Sequence, residues 1–206
     1  SYLIQSRMIA GDASVEIPGA GNTVTVDSTL PTTSGILTTD ETWSGEVLLS
    51  GDVTVPTGMT LTISPGATIR FQALSDDTAG GAEASRAELF IYGSLIAQGT
   101  EALPILFTSS AGSPVKGDWG GIKISSNEAL DLTYCTVEYG KLGLEYVSTG
   151  GYAPVSITNS IFRNGNGNGA NISLSSGTSR TVTLTDNQVY NHDGAGLRVG
   201  GSAGTV

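Results

Sequence analysis

Residues 47–71 (VLLSGDVTVPTGMTLTISPGATIRF) set the pattern of the chain. From Val53 onward every odd position except Thr57 and Pro65 carries a side chain with carbon to bury: Val53, Val55, Met59, Leu61, Ile63, Ala67, Ile69 and Phe71. The even positions are mostly Thr, Ser, Gly or Arg. A period of two sends alternate side chains to opposite faces, so the stretch predicts strand. Thr57-Gly58 and Pro65-Gly66 are turn dipeptides, and the odd phase passes through both without slipping. The segment therefore predicts three short strands around one shared inside, which is one coil of a β-solenoid.

The rest of the chain reads as further coils. Residues 72–88 (QALSDDTAGGAEASRAE) lack periodicity and predict an exposed loop inserted between coils. Alternation resumes at Leu89, with Leu89 and Ile91 read as counterparts of Leu61 and Ile63. Ile105 and Phe107 recur as Leu130 and Leu132, then Val155 and Ile157, then Val182 and Leu184, at spacings of 25, 25 and 27 residues. Val137, Phe162 and Val189 keep step, and Leu144, Leu174 and Val199 follow more loosely. A unit of this length, at about 3.3 Å per strand residue, makes three short strands and their turns. No window keeps apolar residues at helical spacing behind a cap, so the class is all-β. The expected organisation is an N-terminal cap or docking segment over 1–46 and a three-sided parallel solenoid of about six coils over 47–206. Within the first region Tyr2-Leu3-Ile4 is a short apolar start, 15–26 reads as two short strands, and 28–40 as a linker or extended crossing segment.

The motifs LTISPGATIRF, LFIYGSLIAQGTEALPILFTSS and GDWGGIKI resemble the opening coils of right-handed parallel β-helix repeat proteins of bacterial surfaces. The resemblance rests on Gly93, Leu95, Ala97, Gly99, Thr100, Pro104, Ile105, Phe107, Thr108 and Ser109, then on Gly117, Trp119, Gly121 and Ile122, and it spans roughly 42–199. It implies a right-handed parallel β-helix. It implies no single activity, since such proteins include adhesins, surface-layer components and polysaccharide-active proteins.

A net charge of −10 argues against nucleic acid, because nothing would neutralise phosphates. It also disfavours an anionic membrane surface, and no run is apolar enough to insert in a membrane. One cysteine, Cys135, excludes an intrachain disulfide. The chain opens without a visible signal peptide, as a processed chain also would.

Stacking turns single residues into rows. Thr108, Thr133, Thr158 and Thr185 each follow an inward residue of the counted strand and form the candidate ligand face, with Leu106, Asp131, Ser156 and Thr183 beside them. A stack of β-branched residues packs well on a pleated surface whatever it binds. Cys135, Ser160 and Asn187 align at the next turn, where Cys135 reads as a buried structural thiol. Glu138, Arg163 and Tyr190 form another row, with a Glu138–Arg163 ion pair between coils. Trp119, between glycines, reads as a structural residue that covers a gap in the coil. No acidic pair occupies adjacent coils at one counted position, and the N-T-D and G-H-G signatures of polygalacturonase-type hydrolases are absent from the repeat. No catalytic residue and no metal ligand is therefore assigned. Calcium at Asp76, Asp77 and Glu83 has no supporting ligand spacing.

The sequence reading favours an extracellular or cell-surface structural or adhesive protein, in the form of a self-assembling fibre subunit. Its partners would be other copies of itself or a longer surface assembly, because 200–206 (GGSAGTV) does not resemble a cap. The alternative is a polysaccharide-binding or polysaccharide-cleaving β-helix protein.

Overall fold

The computed structural model describes residues 31–150, 153–174 and 181–201. The apolar start at Tyr2-Leu3-Ile4, the strands expected in 15–26 and most of the 200–206 tail lie outside the described residues. The chain divides after Leu30, and Pro31–Val206 is one unit. Within it the alternating sequence gives strands in sets of three. The first coil contains β1 (Gly35–Ile36), β2 (Glu41–Trp43) and β3 (Glu46–Leu49). The second contains β4 (Val53–Val55), β5 (Thr60–Ile63) and β6 (Thr68–Phe71). The third contains β7 (Glu88–Ile91), β8 (Ser94–Gln98) and β9 (Ile105–Ser109). The fourth contains β10 (Gly121–Ser126), β11 (Leu130–Thr133) and β12 (Cys135–Glu138). The fifth contains β13 (Leu144–Ser148), β14 (Val155–Thr158) and β15 (Ile161–Arg163). The sixth contains β16 (Ala170–Leu174), β17 (Val182–Thr185) and β18 (Gln188–Tyr190), and β19 (Leu197–Gly201) opens a seventh.

Equivalent strands of successive coils pair in parallel, giving a seven-stranded first sheet (β1 to β19) and six-stranded second (β2 to β17) and third (β3 to β18) sheets. Among the described residues there is no helix. The inside is a set of apolar files. Val53, Leu89, Ile122, Leu144 and Ala170 stack in the first sheet, and Leu61, Leu95, Leu130, Val155 and Val182 in the second. Val47, Ile69, Phe107, Val137, Phe162 and Val189 stack in the third. Each file buries its members against the coil above and the coil below, so no coil could bury its inside alone.

The parallel ladders reach back to Gly35, so the segment 35–46, read as linker and cap, supplies the first rung of each sheet. Sequence counting also misassigned two faces and one register. Leu89 and Ile91 lie beside Val53 and Val55, not Leu61 and Ile63. Ile105 and Phe107 lie beside Cys135 and Val137, while Leu130 and Leu132 pair with Leu95 and Ala97. Leu144 aligns with Ala170 and Leu197 rather than with Leu174 and Val199. The steps from Val155 to Val182 and from Val137 through Phe162 to Val189 hold. The reason is physical: inward residues on all three faces are the same aliphatic types, so the pattern marks in and out but neither which side of the triangle a strand occupies nor its register on the strand beside it.

Candidate functional site

That register changes the threonine row. Thr133, Thr158 and Thr185 are lateral neighbours on the second sheet, with a Thr133–Thr158 Oγ1···Oγ1 distance of 3.2 Å. Thr108 is not among them: it lies on the third sheet beside Arg70, and Gln98 takes the place next to Thr133. Thr108 is buried and donates its hydroxyl to Glu138 Oε1 at 2.9 Å. The outward file beside the threonines is Thr42, Thr62, Ile96, Asp131, Ser156 and Thr183. The second sheet thus presents a hydroxyl-rich face interrupted at its centre, where Gln98 Nε2 donates to Asp131 Oδ2 at 2.7 Å and Thr133 Oγ1 to Asp131 Oδ1 at 2.8 Å.

On the third sheet Glu138, Arg163 and Tyr190 are successive neighbours. Arg163 Nε donates to Glu138 Oε2 at 2.7 Å, and its Nη1 reaches the Tyr190 hydroxyl at 3.4 Å. The Tyr190 hydroxyl and then the Glu138 carboxylate raise the Arg163 pKa against its partial burial. At the neighbouring corner the Cys135 amide donates to Ser160 Oγ, and the Ser160 amide to Asn187 Oδ1. The Cys135 thiol is buried, which pushes its pKa up to about 12 with help from the Asp131 charge, so thiolate is negligible at neutral pH. Trp119 lies wholly inside, stacked on Phe71 with ring centroids 3.8 Å apart, and its Nε1 donates to the Glu138 carbonyl at 2.9 Å.

Sequence reasoning missed a cluster of carboxylates at the 72–88 insertion, of which Asp52 and Glu88 are buried. Asp52 Oδ1 accepts the Glu88 amide at 2.8 Å. Asp76 Oδ1 accepts the Asp52 amide and the Thr78 amide and hydroxyl, and its Oδ2 accepts the Gly80 amide. Glu88 Oε2 accepts the Ala82 and Glu83 amides at 2.7 and 3.1 Å. Two glycines make room for this. A Cβ on Gly120 would lie 2.2 Å from Glu88 Cγ, and one on Gly81 would lie 2.5 Å from both Asp52 Oδ2 and Glu88 Oε2. The carboxylates thus fold the insertion onto the coil by accepting its amides. Burial pushes Asp76 up, but the Thr78 hydroxyl and the surrounding amides more than offset it, leaving its pKa lowered. Glu83 pairs with Lys141 and Arg86. Among the described residues no group of three or more His, Cys, Asp or Glu side chains is arranged to hold a metal ion.

Asp52 is the exception in sign. Burial raises its pKa to about 6; the Glu88 amide opposes this, and the charges of Asp76 and Glu88 add to it. A folded-state pKa above the unfolded value of 3.8 means that ionisation works against folding. This term is absent at low pH, grows as pH rises from about 4 to about 6, and is constant above, at about 3 kcal/mol for a shift of this size. Asp52→Asn keeps the acceptor for the Glu88 amide and removes the charge that faces Asp76 and Glu88. The variant is expected to be about 1–3 kcal/mol more stable than the parent above pH 6 and equal to it near pH 4. Urea midpoints measured across that range would test it, and a pH-independent difference would refute the assignment.

The profile of the family described as "right handed beta helix region" matches residues 52–206. No curated protein and no solved structure matches the chain significantly. The profile covers most of the sequence, and the three parallel sheets agree with it, so the chain belongs to the right-handed β-helix family.

Proposed function

We propose that this β-helix is a stiff structural or adhesive rod of an extracellular cell surface, assembled with further copies of itself or into a longer surface structure. The observation that supports this reading is how its charges are used. Of the six ion pairs among the described residues, five join different coils: Arg70–Glu46, Lys116–Asp193, Lys123–Glu88, Lys141–Glu83 and Arg163–Glu138. Charges arranged this way fasten a shaft along its axis. The mechanism is shape, with the acidic surface keeping rods apart laterally.

Assembly would be axial. In the last described coils Leu197 and Val199 are 49% and 40% exposed, and Val182, Leu184 and Val189 are half-buried. These continue the inward files. Electron microscopy with light scattering tests the reading. Filaments with an axial repeat near one subunit length are expected, and Leu197→Lys with Val199→Lys should reduce them to monomers that keep the circular dichroism of the parent β-sheet. A monodisperse 21.0 kDa species from the parent chain would overturn it.

A further inference from the structure

The corner between β15 and β16 repeats one dipeptide: Asn164-Gly165, Asn166-Gly167 and Asn168-Gly169 follow one another. The three pairs share one intrinsic reactivity. Glycine has no Cβ to shield its amide, so its nitrogen can close on the side-chain carbonyl carbon of the preceding asparagine to form a five-membered ring. The fold makes the three pairs unequal.

Asn168 is held at both reacting groups. Its Oδ1 accepts the Ala195 amide at 2.9 Å, and the Gly169 amide donates to the Ala195 carbonyl at 3.0 Å. Ring closure there would break two hydrogen bonds to the next coil at a buried glycine. Asn164 is half-buried, and its Oδ1 accepts Asn191 Nδ2 at 2.6 Å. Its glycine amide is unbonded, but Gly165 is buried and the side-chain carbonyl cannot swing toward it without giving up the Asn191 contact.

Asn166 differs on each count. It is the exposed one of the three asparagines, and Gly167 is only half-buried. Neither the carbonyl nor the N–H of the Asn166-Gly167 peptide group has a hydrogen-bond partner among the described residues, and neither has Asn166 Oδ1. The flanks are fixed instead: the Asn166 amide donates to the Gly140 carbonyl at 3.1 Å, and the Gly194 amide to the Gly167 carbonyl at 3.2 Å. One peptide group is thus free to turn between two anchored neighbours, as local motion at an unbonded exposed backbone allows. The side chain is held only by Nδ2, which donates to Asp193 Oδ2 at 3.3 Å. That nitrogen is the atom the reaction expels.

We propose that Asn166-Gly167 is a self-modifying site, with the chain as its substrate and water as its co-reactant. The Gly167 nitrogen attacks Asn166 Cγ, the Cγ–Nδ2 bond breaks, and Nδ2 leaves as ammonia with the proton that the Gly167 nitrogen gives up through solvent. Water then opens the cyclic imide. Attack at Cγ yields aspartate, and attack at the backbone carbonyl yields isoaspartate, whose chain runs through the former side chain. Either product sets a carboxylate where an amide had donated to Asp193. Lys116 Nζ, 2.7 Å from Asp193 Oδ1, then serves two carboxylates instead of one, and the edge gains a negative charge. The site uses none of the residues invoked for axial assembly, so either reading can fail alone.

The test is peptide mapping by tandem mass spectrometry of the whole chain, kept for weeks at neutral pH both folded and in urea, with fragmentation that separates isoaspartate from aspartate. In the folded protein, exchange of the side-chain NH2 for OH is expected at residue 166 at least about tenfold faster than at Asn164 or Asn168. In urea the three positions should react within about threefold of one another, because the difference belongs to the fold. Asn166→Gln, which would need a six-membered ring, should remove the reaction from this segment of the folded chain. The proposal is overturned if Asn166 persists unchanged in the folded protein. It is equally overturned if Asn164 or Asn168 converts as fast as Asn166 without urea, or if Asn166→Gln leaves the mass gain of the segment as it was.

Discussion

Trp119→Ala is expected to destabilise the protein by about 3–5 kcal/mol, the range for truncating a fully buried large aromatic. Three features place it at the upper end. The indole is fully buried. It stacks face to face on Phe71, at an interplanar angle of 9°. It also gives the Glu138 carbonyl its N–H donor, so alanine leaves both a void between coils and an underserved buried acceptor. For a chain of this size each kcal/mol moves Tm by about 2–4 °C, so a fall of about 10 °C or more is expected. Trp119→Phe separates the two contributions. It retains a ring against Phe71 and loses the donor and part of the indole's volume, so a loss of about 2–3 kcal/mol, smaller than that of alanine, is expected. Trp43, the other of the two tryptophans and itself buried, reports unfolding in both variants. Equal losses for alanine and phenylalanine would mean that the hydrogen bond, not the packing, is what the residue contributes.

The fold was legible because its signal is local. Alternation assigns inside and outside residue by residue, and Pro-Gly and Thr-Gly mark corners, so the solenoid and the inserted loop follow from neighbours in sequence. The rotational position of a strand around the triangle is not local. It depends on corner lengths, and these vary, as the 72–88 and 110–117 connections show. A spacing of 25 residues from Ile105 to Leu130 looked like one coil and in fact leads from the third sheet to the second. Thr108 was placed on the wrong face for that reason. The rows counted on the second and third sheets from coil four to coil six were placed correctly, including the contact between Glu138 and Arg163. The first coil was hidden differently. Glu41 aligns with the inward Leu61, where an acid argues against a buried strand. Its carboxylate is in fact satisfied by Trp43 Nε1 at 2.7 Å and by the Thr32 amide at 2.9 Å. The Asp52, Asp76 and Glu88 cluster shares this cause. A buried carboxylate is readable only once its donors are known, and here they come from backbone amides of the insertion and a lysine one coil away. One sequence signal was present: Glu88 directly precedes the inward Leu89, a position where an exposed loop should already have ended.

The larger effect outside the core should come from Lys123→Met, which removes the counter-charge of Glu88. Glu88 is 0% exposed, and Lys123 Nζ lies 2.9 Å from its Oε1 while remaining partly open to solvent. The other oxygen is held by the Ala82 and Glu83 amides, but Oε1 faces no aligned hydrogen-bond donor and meets the ammonium as a charge. Methionine keeps most of the lysine stem, so packing is nearly conserved and the change isolates electrostatics. Breaking a buried pair from one side costs about 3–5 kcal/mol at neutral pH, because the remaining charge stays desolvated. The double variant Glu88→Gln with Lys123→Met should recover most of this. Glutamine carries no charge, and its carbonyl oxygen can still accept the two loop amides. A double-mutant cycle in urea therefore predicts strong coupling between the two positions. The damage should also be local, since Glu88 and Asp52 are what bind the insertion to the coil. Hydrogen exchange at the Ala82 and Glu83 amides should accelerate in Lys123→Met before exchange in the apolar files does. Unchanged stability together with unchanged exchange would show that water reaches Glu88 and that the insertion is held by its backbone contacts alone.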